Sequence, residues 1–282
     1  MVLWGSSFVA IKEVVSRVSP LTYVWVRAAI ACAGLTPYLI WRLRRAGWRG
    51  LRPSLRAGVV TGVPFALGLW LQGWGTRYTS ASNSAFITGL NVVFVHLYLG
   101  VVRRSYGVRH GAGLALSVAG LYLLTRPEGG FGPGDALVLA GAVAWAAQVL
   151  LVDKFSSSDP LTFTFGEMLP STAFVVPDAA LGNPSVPPEL LPQLTYLGLA
   201  CADAAFALQL LGQRRVDPAS AAVIFLLEPV AAAFFAHLIL GEAVPPASAA
   251  GMALILAAAA VTQSDVILAA RGRRPSPSSR GS

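Results

Sequence analysis

The sequence predicts an all-α integral membrane protein with ten transmembrane helices, arranged as two inverted five-helix repeats. Of its 282 residues, 55% are hydrophobic and only 12% are charged, about half the charged share of an ordinary soluble domain. Apolar runs long enough to cross a bilayer follow one another along the chain, and the second half repeats motifs of the first half. This composition could hardly cover a surface that faces water, which argues against a soluble enzyme.

Ten apolar runs, each near the roughly 20 residues that a spanning helix needs, are separated by polar or Gly/Pro breaks. They cover residues 1–16, 21–41, 57–76, 82–102, 110–126, 135–153, 160–181, 191–213, 217–240 and 246–269. Residues 1–126 are predicted to form the first repeat and residues 135–270 the second. Residues 271–282 are basic and rich in Pro and Ser, which predicts a disordered cytoplasmic tail.

The distribution of basic residues predicts the orientation of the chain, because short cytoplasmic loops retain positive charge. With the N-terminus inside, the outer loops carry only Arg17, Arg77 and Arg126. The inner loops and the tail carry 16 basic residues, namely Arg42, Arg44, Arg45, Arg49, Arg52, Arg56, Arg103, Arg104, Arg109, Lys154, Arg214, Arg215, Arg271, Arg273, Arg274 and Arg280. We therefore expect a multi-pass protein of the cell membrane with both termini in the cytoplasm.

The net charge of +8 could by itself suggest a nucleic-acid partner, but the positions of the basic residues do not. The basic residues lie in short clusters between long apolar runs, a pattern typical of a membrane surface. The lipid bilayer is therefore the expected partner, and no nucleic acid is expected.

The internal repeat has a spacing of about 140 residues. Residues 19–23 (SPLTY) read again as residues 159–163 (DPLTF), and Trp4 pairs with Trp145. Each half contains five predicted spans, an odd number, so the two copies must lie in the membrane with opposite orientations. Inverted repeats of this kind are typical of alternating-access carriers.

Five short motifs follow one another along the chain. They are residues 4–8 (WGSSF) in the first helix, residues 78–81 (YTSA) before the fourth, residues 134–135 (GD) at the start of the sixth, and residues 227–230 (LEPV) with residues 240–242 (LGE) in the ninth. Over the stretch from Trp4 to about Gln263, the chain resembles the drug/metabolite transporter superfamily in its EamA-like, ten-helix branch.

This resemblance implies a secondary transporter that exports or exchanges small metabolites through a central cavity between the two halves. We expect a small polar metabolite, such as an amino acid, to move by alternating access.

Two features depart from the family pattern. Only three residues precede Trp4, whereas about ten separate Gly134 from Trp145, so we expect the true start of the chain to lie upstream. Val101 stands where the second copy has Glu242, so a role for Glu242 would need no symmetric partner.

Four ionisable residues fall inside predicted helices, where a charge at the bilayer centre costs about 2.5 to 3.5 kcal/mol on insertion scales. Glu228 and Asp203 are the deepest acids and are candidates for proton coupling; the alternatives are a Glu-Pro kink at Glu228 and an interhelical hydrogen bond at Asp203. Arg27 and Glu167 lie about two turns from helix ends. They are predicted to be structural charges, with Arg27 extending to the interface.

Uncharged polar and aromatic side chains are predicted to line the cavity. Trp4 and Ser7 share one helix face, and Trp145 and Gln148 repeat that spacing in the second copy. The full predicted set of substrate-binding residues is Trp4, Ser7, Gln72, Thr88, Asn91, Trp145, Gln148 and Gln209. Interhelical bonding, at about 0.6 kcal/mol per bond, is an equally good explanation for any one of them.

Two other classes of function stay open at this point, a membrane-embedded enzyme and a scaffold without transport activity. An enzyme would need paired catalytic groups, and only Asp135 with Asp203 is formally available, so we expect no enzyme activity. His96 and His237 lack a third ligand in the sequence, so we expect no metal and no cofactor. The expected partner is a small-molecule metabolite, and a homodimer is left open.

Overall fold

The computed structural model describes residues 2–79, 81–104, 107–127, 129–182, 185–240 and 244–262. Throughout these ranges the regular secondary structure is helical. The helices are α1 (Val2–Arg17), α2 (Pro20–Thr76), α3 (Ala81–Gly89), α4 (Asn91–Val101), α5 (Val108–Thr125), α6 (Pro133–Lys154), α7 (Pro160–Thr172), α8 (Val175–Leu181), α9 (Leu191–Gly198), α10 (Ala205–Gln213), α11 (Pro218–Phe225), α12 (Leu227–Leu240) and α13 (Pro246–Thr262). A 3₁₀ turn (Pro188–Leu190) precedes α9, and a π-helical segment (Leu199–Ala204) joins α9 to α10.

Every predicted apolar run overlaps at least one of these helices, and the second and third runs lie on the same element, α2. Within the described ranges, five segments are long and apolar enough to cross a membrane, and Pro246–Thr262 is a shorter apolar helix. The five are Pro20–Thr76, Asn83–Val101, Pro133–Lys154, Pro188–Gln213 and Pro218–Phe235. The all-α membrane class is thereby confirmed, whereas the number of ten crossings stays a prediction. The tail at residues 271–282 and the last part of the tenth predicted run lie outside the described residues.

The chain between the second and third predicted runs is helical, where the sequence predicted a loop over residues 42–56. Only Gly47 leaves the helical conformation (φ 64°, ψ 175°), in a left-handed region that glycine enters without steric cost. An apolar run identifies only the part of a helix that lies in the membrane. Leu and Arg also form helices well in water, so the helix can continue beyond the apolar run. The element α2 therefore consists of two long arms, residues 20–46 and 48–76.

The fourth and ninth predicted runs are each broken near the middle. Leu90 (φ −64°, ψ −4°) separates α3 from α4, and Leu226 (φ −67°, ψ −5°) separates α11 from α12. Pro229, in the first turn of α12, has no N–H to donate to the turn before it. The two breaks lie at similar places in the two halves, nine residues after Ala81 and seven residues after Ala219, which begin the repeated dipeptide AS.

The helices pack closely where glycines meet. Gly58, in the second arm of α2, touches α7 at Phe163 and Gly166, and Gly198 of α9 lies against the backbone of Arg27 in α2. Small residues let membrane helices approach until their backbones touch. These contacts fix the first and second halves against each other.

A polar cluster around Asp178 joins α8 to the start of α2. Its carboxylate accepts hydrogen bonds from Ser19 Oγ (2.7 Å), Thr22 Oγ1 (2.6 Å) and Trp25 Nε1 (2.8 Å). Ser19 also caps α2 by accepting a hydrogen bond from the Thr22 backbone N–H. We call these four residues the Asp178 cluster.

A second polar cluster lies around Asp159, which caps α7 by accepting from the Thr162 N–H at 3.0 Å. Asp159 also accepts from Tyr38 OH (2.9 Å) and pairs with Arg42 Nη1 (3.0 Å), and its own backbone N–H donates to Ser54. Burial alone would raise the pKa of the Asp159 carboxyl, but hydrogen bonds from Thr162 and Tyr38 and the charge of Arg42 hold this pKa below its ordinary value. We call these five residues the Asp159 cluster.

The two clusters are related by the 140-residue spacing of the repeat. Ser19 corresponds to Asp159 and Tyr38 to Asp178, so each half supplies one helix cap and one side chain that binds the other half's cap. Ser19 and Tyr38 are 19 residues apart on α2, or about 28 Å along a helix. The first arm of α2 therefore runs antiparallel to α7 and α8, which is the arrangement that an inverted repeat requires.

Candidate functional site

Irregular helix geometry coincides with three of the predicted site residues. Asn91 is the first residue of α4, Glu228 is the second residue of α12, and Asp203 lies within the π-helical segment. Breaks and π turns leave backbone groups without their usual helical partners, and such places in membrane helices are tolerated where they face protein or a cavity. These irregular segments therefore mark where polar groups collect in the interior.

Helix α1 lies between the π-helical segment and α12. Trp4 Nε1 donates to the backbone oxygen of Cys201 at 2.9 Å, so the indole binds a carbonyl of the π segment. One residue further, Gly5 faces the backbone of Glu228 and the side chain of Ala231 so closely that a Cβ would not fit. Ser7 Oγ donates to Trp4 O within the same helix at 2.7 Å, so its hydroxyl is already used.

Three charged side chains share this region. Asp203 is 8% exposed and its Oδ1 has no hydrogen-bond partner among the described residues, while Glu228 is partly buried. Arg27 is 6% exposed, and its positive charge acts on both acids. Among the residues that the structure describes, Arg27 forms no ion pair within 4 Å. The region therefore contains one basic and two acidic side chains that do not pair directly with one another.

The expectation that Arg27 reaches the membrane interface is wrong. Its Nη1 donates to Tyr23 OH at 2.8 Å, one turn nearer the helix end, but the side chain stays buried and its Nε has no partner. The cause is the packing of α9 and the π segment over this face of α2, where Gly198 touches the Arg27 backbone.

An aromatic cluster brings Trp4 and Trp145 into one group. The ring centroids of Trp4 and Phe206 are 4.9 Å apart, those of Phe206 and Phe65 are 4.9 Å apart, and those of Phe65 and Trp145 are 5.4 Å apart. Phe65 and Phe206 were missed in the sequence. They are separated by 141 residues, the same spacing as Trp4 and Trp145, and this spacing was the signal that would have found them.

A chain of buried amides occupies the helices next to this cluster. Gln148 Nε2 donates to Glu167 Oε1 (2.7 Å), Gln209 Nε2 donates to Gln148 Oε1 (3.2 Å) and to Gln213 Oε1 (2.9 Å), and Gln213 Nε2 donates to the Val149 carbonyl oxygen (3.0 Å). Glu167 is fully buried and its Oε2 has no partner. Gln148 and Gln209 therefore bind each other and Glu167, and Gln213 is a member that the sequence did not single out.

The remaining predicted cavity residues lie around α3 and α4. Gln72 Nε2 donates to Thr88 Oγ1 at 3.1 Å, and Oδ1 of Asn91, one turn beyond Thr88, is buried without a partner. Trp145 packs against Gly68, one turn before Gln72, and its Nε1 also has no partner. Asn91 and Trp145 are thus the members of this group with an unused polar atom.

Apolar helices, breaks at similar places in the two halves, and charged and aromatic side chains gathered beside those breaks define a class of protein, the helical membrane transport proteins. The chain belongs to the EamA-like transporter family, whose model matches residues 1–126 and 132–263.

Two relatives agree with this assignment, and one solved structure shares the fold. Two proteins of Archaeoglobus fulgidus, each described as an uncharacterized transporter, are 28% identical to this chain. The alignments cover 245 residues (85% of this chain and 75% of the relative) and 258 residues (86% and 87%). A crystal structure with 21% identity superposes with a TM-score of 0.76 over 96% of this chain and 95% of the other, which shows a shared fold.

Proposed function

We propose that this protein is a secondary transporter that exports or exchanges a small polar metabolite, such as an amino acid, across the cell membrane by alternating access. The observation that carries the proposal is the placement of one buried cation, Arg27, with two acids, Asp203 and Glu228, beside interrupted helices. An amino acid carries one carboxylate and one ammonium group. Arg27 matches the carboxylate as a forked donor, and the two acids match the ammonium group.

The aromatic and amide residues are assigned by whether a polar atom is free. Trp145 and Asn91 line the substrate region, with Trp145 Nε1 and Asn91 Oδ1 available as donor and acceptor. Trp4 lines it through its ring alone, because its Nε1 is bound to the Cys201 carbonyl oxygen. Gln72 and Thr88 hold the neighbouring helices through their mutual bond. No residue in this assignment acts as a catalyst, in line with the naming of the relatives as transporters.

Transport by vesicles containing the purified protein tests the proposal. Vesicles preloaded with one unlabelled amino acid are offered the radiolabelled form, and exchange is measured for each amino acid in turn. Removing one partner of a buried charge interaction costs about 2 kcal/mol or more, so R27Q and D203N are expected to lower exchange by about 30-fold.

Matched control substitutions lie on the exposed ion pair between Arg17 and Glu189, which are 49% and 63% exposed. R17Q makes the same chemical change as R27Q, and E189Q converts a carboxylate to an amide as D203N does; both are expected to keep exchange within twofold of the wild type. Normal exchange by both R27Q and D203N, with an unchanged substrate range, would refute the proposed site.

The coupling ion is proposed to be a proton carried by Asp203 or Glu228. If so, D203N or E228Q should exchange substrate with a pH profile flatter than that of the wild type. If both variants retain the wild-type rate and profile, these acids hold helices together and do not couple transport to protons.

The proposed orientation has both termini in the cytoplasm, with residues 1–126 and 135–270 as inverted halves. It is supported by the excess of basic residues in the inner loops and by the antiparallel packing of α2 on α7 and α8. With Cys32 and Cys201 replaced by alanine, a cysteine introduced by R126C should react with an impermeant reagent outside intact cells. A cysteine introduced by R49C should not react, and labelling of R49C from outside would contradict the orientation.

A further inference from the structure

A basic cleft opens at the end of the molecule that carries the basic loops. Arg49, Arg52 and Arg56 follow the Gly47 break at spacings of three and four residues, so their side chains share one face of the second arm of α2. The cleft has a volume of about 840 Å³, and Phe155 and Ser157, from the connection between α6 and α7, form its opposite wall.

Among the residues that the structure describes, no acidic side chain pairs with these three arginines. All three are exposed, and within the described ranges none forms an ion pair or a hydrogen bond with another residue. Arg42 and Arg103, at the same end, are instead paired with Asp159 and Asp153. Three cations on one wall of a concave surface, without an acid among them, favour an anionic ligand that several guanidinium groups can contact together.

The stripe of arginines continues into an apolar stripe on the same helix face. Val60 and Val63 follow Arg56 at spacings of four and three residues, and they are 42% and 51% exposed. Since Val63 lies in a predicted membrane span, the face changes from charged to apolar in the direction of the bilayer core. A ligand that follows this face needs an anionic head and a hydrocarbon tail.

The opposite wall of the cleft is held in place by another basic residue. Arg214 donates from Nε to the Ser156 carbonyl oxygen (2.6 Å) and from Nη2 to the Ser158 carbonyl oxygen (2.5 Å). These bonds fix the connection between α6 and α7 on both sides of Ser157. The cleft is therefore a preformed shape, which lowers the entropic cost of binding.

We propose that this cleft binds the phosphate headgroup of an anionic phospholipid, with the acyl chains lying along Val60 and Val63. Basic pockets between membrane helices on the cytoplasmic side suit such headgroups. The site is separate from the proposed substrate region and does not depend on which solute is transported.

Native mass spectrometry of the full chain in detergent tests the proposal with three probes, phosphatidylglycerol, phosphatidylcholine and inorganic phosphate. The wild type is expected to retain phosphatidylglycerol at least tenfold more strongly than phosphatidylcholine. The triple variant R49Q/R52Q/R56Q is expected to lose this preference, with each arginine contributing about fivefold.

The control variant R44Q/R104Q/R215Q removes the same charge from exposed positions at the same end of the molecule, and it should retain phosphatidylglycerol within about twofold of the wild type. Thermal unfolding without added lipid checks that both variants fold. If the triple variant R49Q/R52Q/R56Q does not fold, the single variant R52Q is compared with the wild type for its retention of phosphatidylglycerol. Equal losses in the two triple variants would overturn the proposal, because they would indicate general surface attraction. Inorganic phosphate binding as tightly as phosphatidylglycerol would also overturn it, because the ligand would then be a soluble phosphate.

Discussion

The Asp159 cluster allows a stability change to be predicted from individual contacts. Replacing Asp159 by alanine removes the cap of α7, worth about 1 kcal/mol, and the hydrogen bond from Tyr38, worth about 1 kcal/mol. It also removes the ion pair with Arg42, whose side chains are 26% and 15% exposed, worth about 1 kcal/mol at this burial. We expect D159A to lower the free energy of unfolding by about 3 kcal/mol.

Two further substitutions separate these contributions in equilibrium unfolding experiments in detergent micelles at pH 8. D159N keeps an equally good cap and an acceptor for Tyr38, so it should lose only the ion pair, about 1 kcal/mol. D217A removes the cap of α11, which accepts from the backbone N–H groups of Ala219 and Ser220. Asp217 Oδ1 also lies 3.6 Å from His110 Nε2, so D217A should cost about 1 kcal/mol for the cap and at most a few tenths of a kcal/mol more for this partly exposed contact.

The comparison of D159A with D217A decides whether the reasoning is right. Equal losses in the two alanine variants would show that Tyr38 and Arg42 add nothing to the stability of the folded protein. A loss for D159N as large as that for D159A would show that the charge, and not the cap, carries the effect.

Three other expectations follow from the structure. The pKa of Asp159 is lowered in the folded state, so the stability that its charged form contributes is present above its unfolded pKa of about 4. This stability is lost as the pH falls through the pKa of the folded state. D159N should therefore lack this part of the acid sensitivity when unfolding is measured between pH 6 and 3. G58A should destabilise by about 2 kcal/mol because its Cβ would meet the α7 backbone, whereas G212A, with open space around it, should stabilise by up to about 1 kcal/mol, both measured by thermal unfolding. W4F should cost about 1 kcal/mol for the lost bond to the π segment, and W145F, whose indole N–H has no partner, should cost clearly less in the same assay.

The positions of the helices could be predicted because apolar runs and helix caps are local properties of the sequence. Ser19-Pro20 and Asp159-Pro160 start α2 and α7 with a side-chain cap and a proline in the first turn, as capping chemistry requires. The helical extension of α2 around Gly47 was missed, since hydropathy detects contact with lipid and not the helix itself.

The site was predictable only in part. The placement of Asp203 inside a helix, where it is buried, and the grouping of Trp4 with Trp145 followed from the runs and the repeat. The π segment was not predictable, because no residue in Leu199–Ala204 is a helix breaker; it depends on tertiary contacts such as the bond from Trp4. Burial of Arg27 likewise depends on a helix from the other half.

The π-helical segment also accommodates a one-residue difference in length between the two halves. Gly58 and Gly198, which make corresponding close contacts with the opposite half, are 140 residues apart, whereas Phe65 and Phe206 are 141 apart. The second half thus has one more residue between these points, and Leu199–Ala204 lies between them. One residue inserted into a regular helix would turn everything after it by about 100°, but a wide turn absorbs the insertion locally. Gly198 and Phe206 therefore both keep contacts that match those of Gly58 and Phe65, and the extra residue lies in the bulge whose Cys201 carbonyl accepts a hydrogen bond from Trp4.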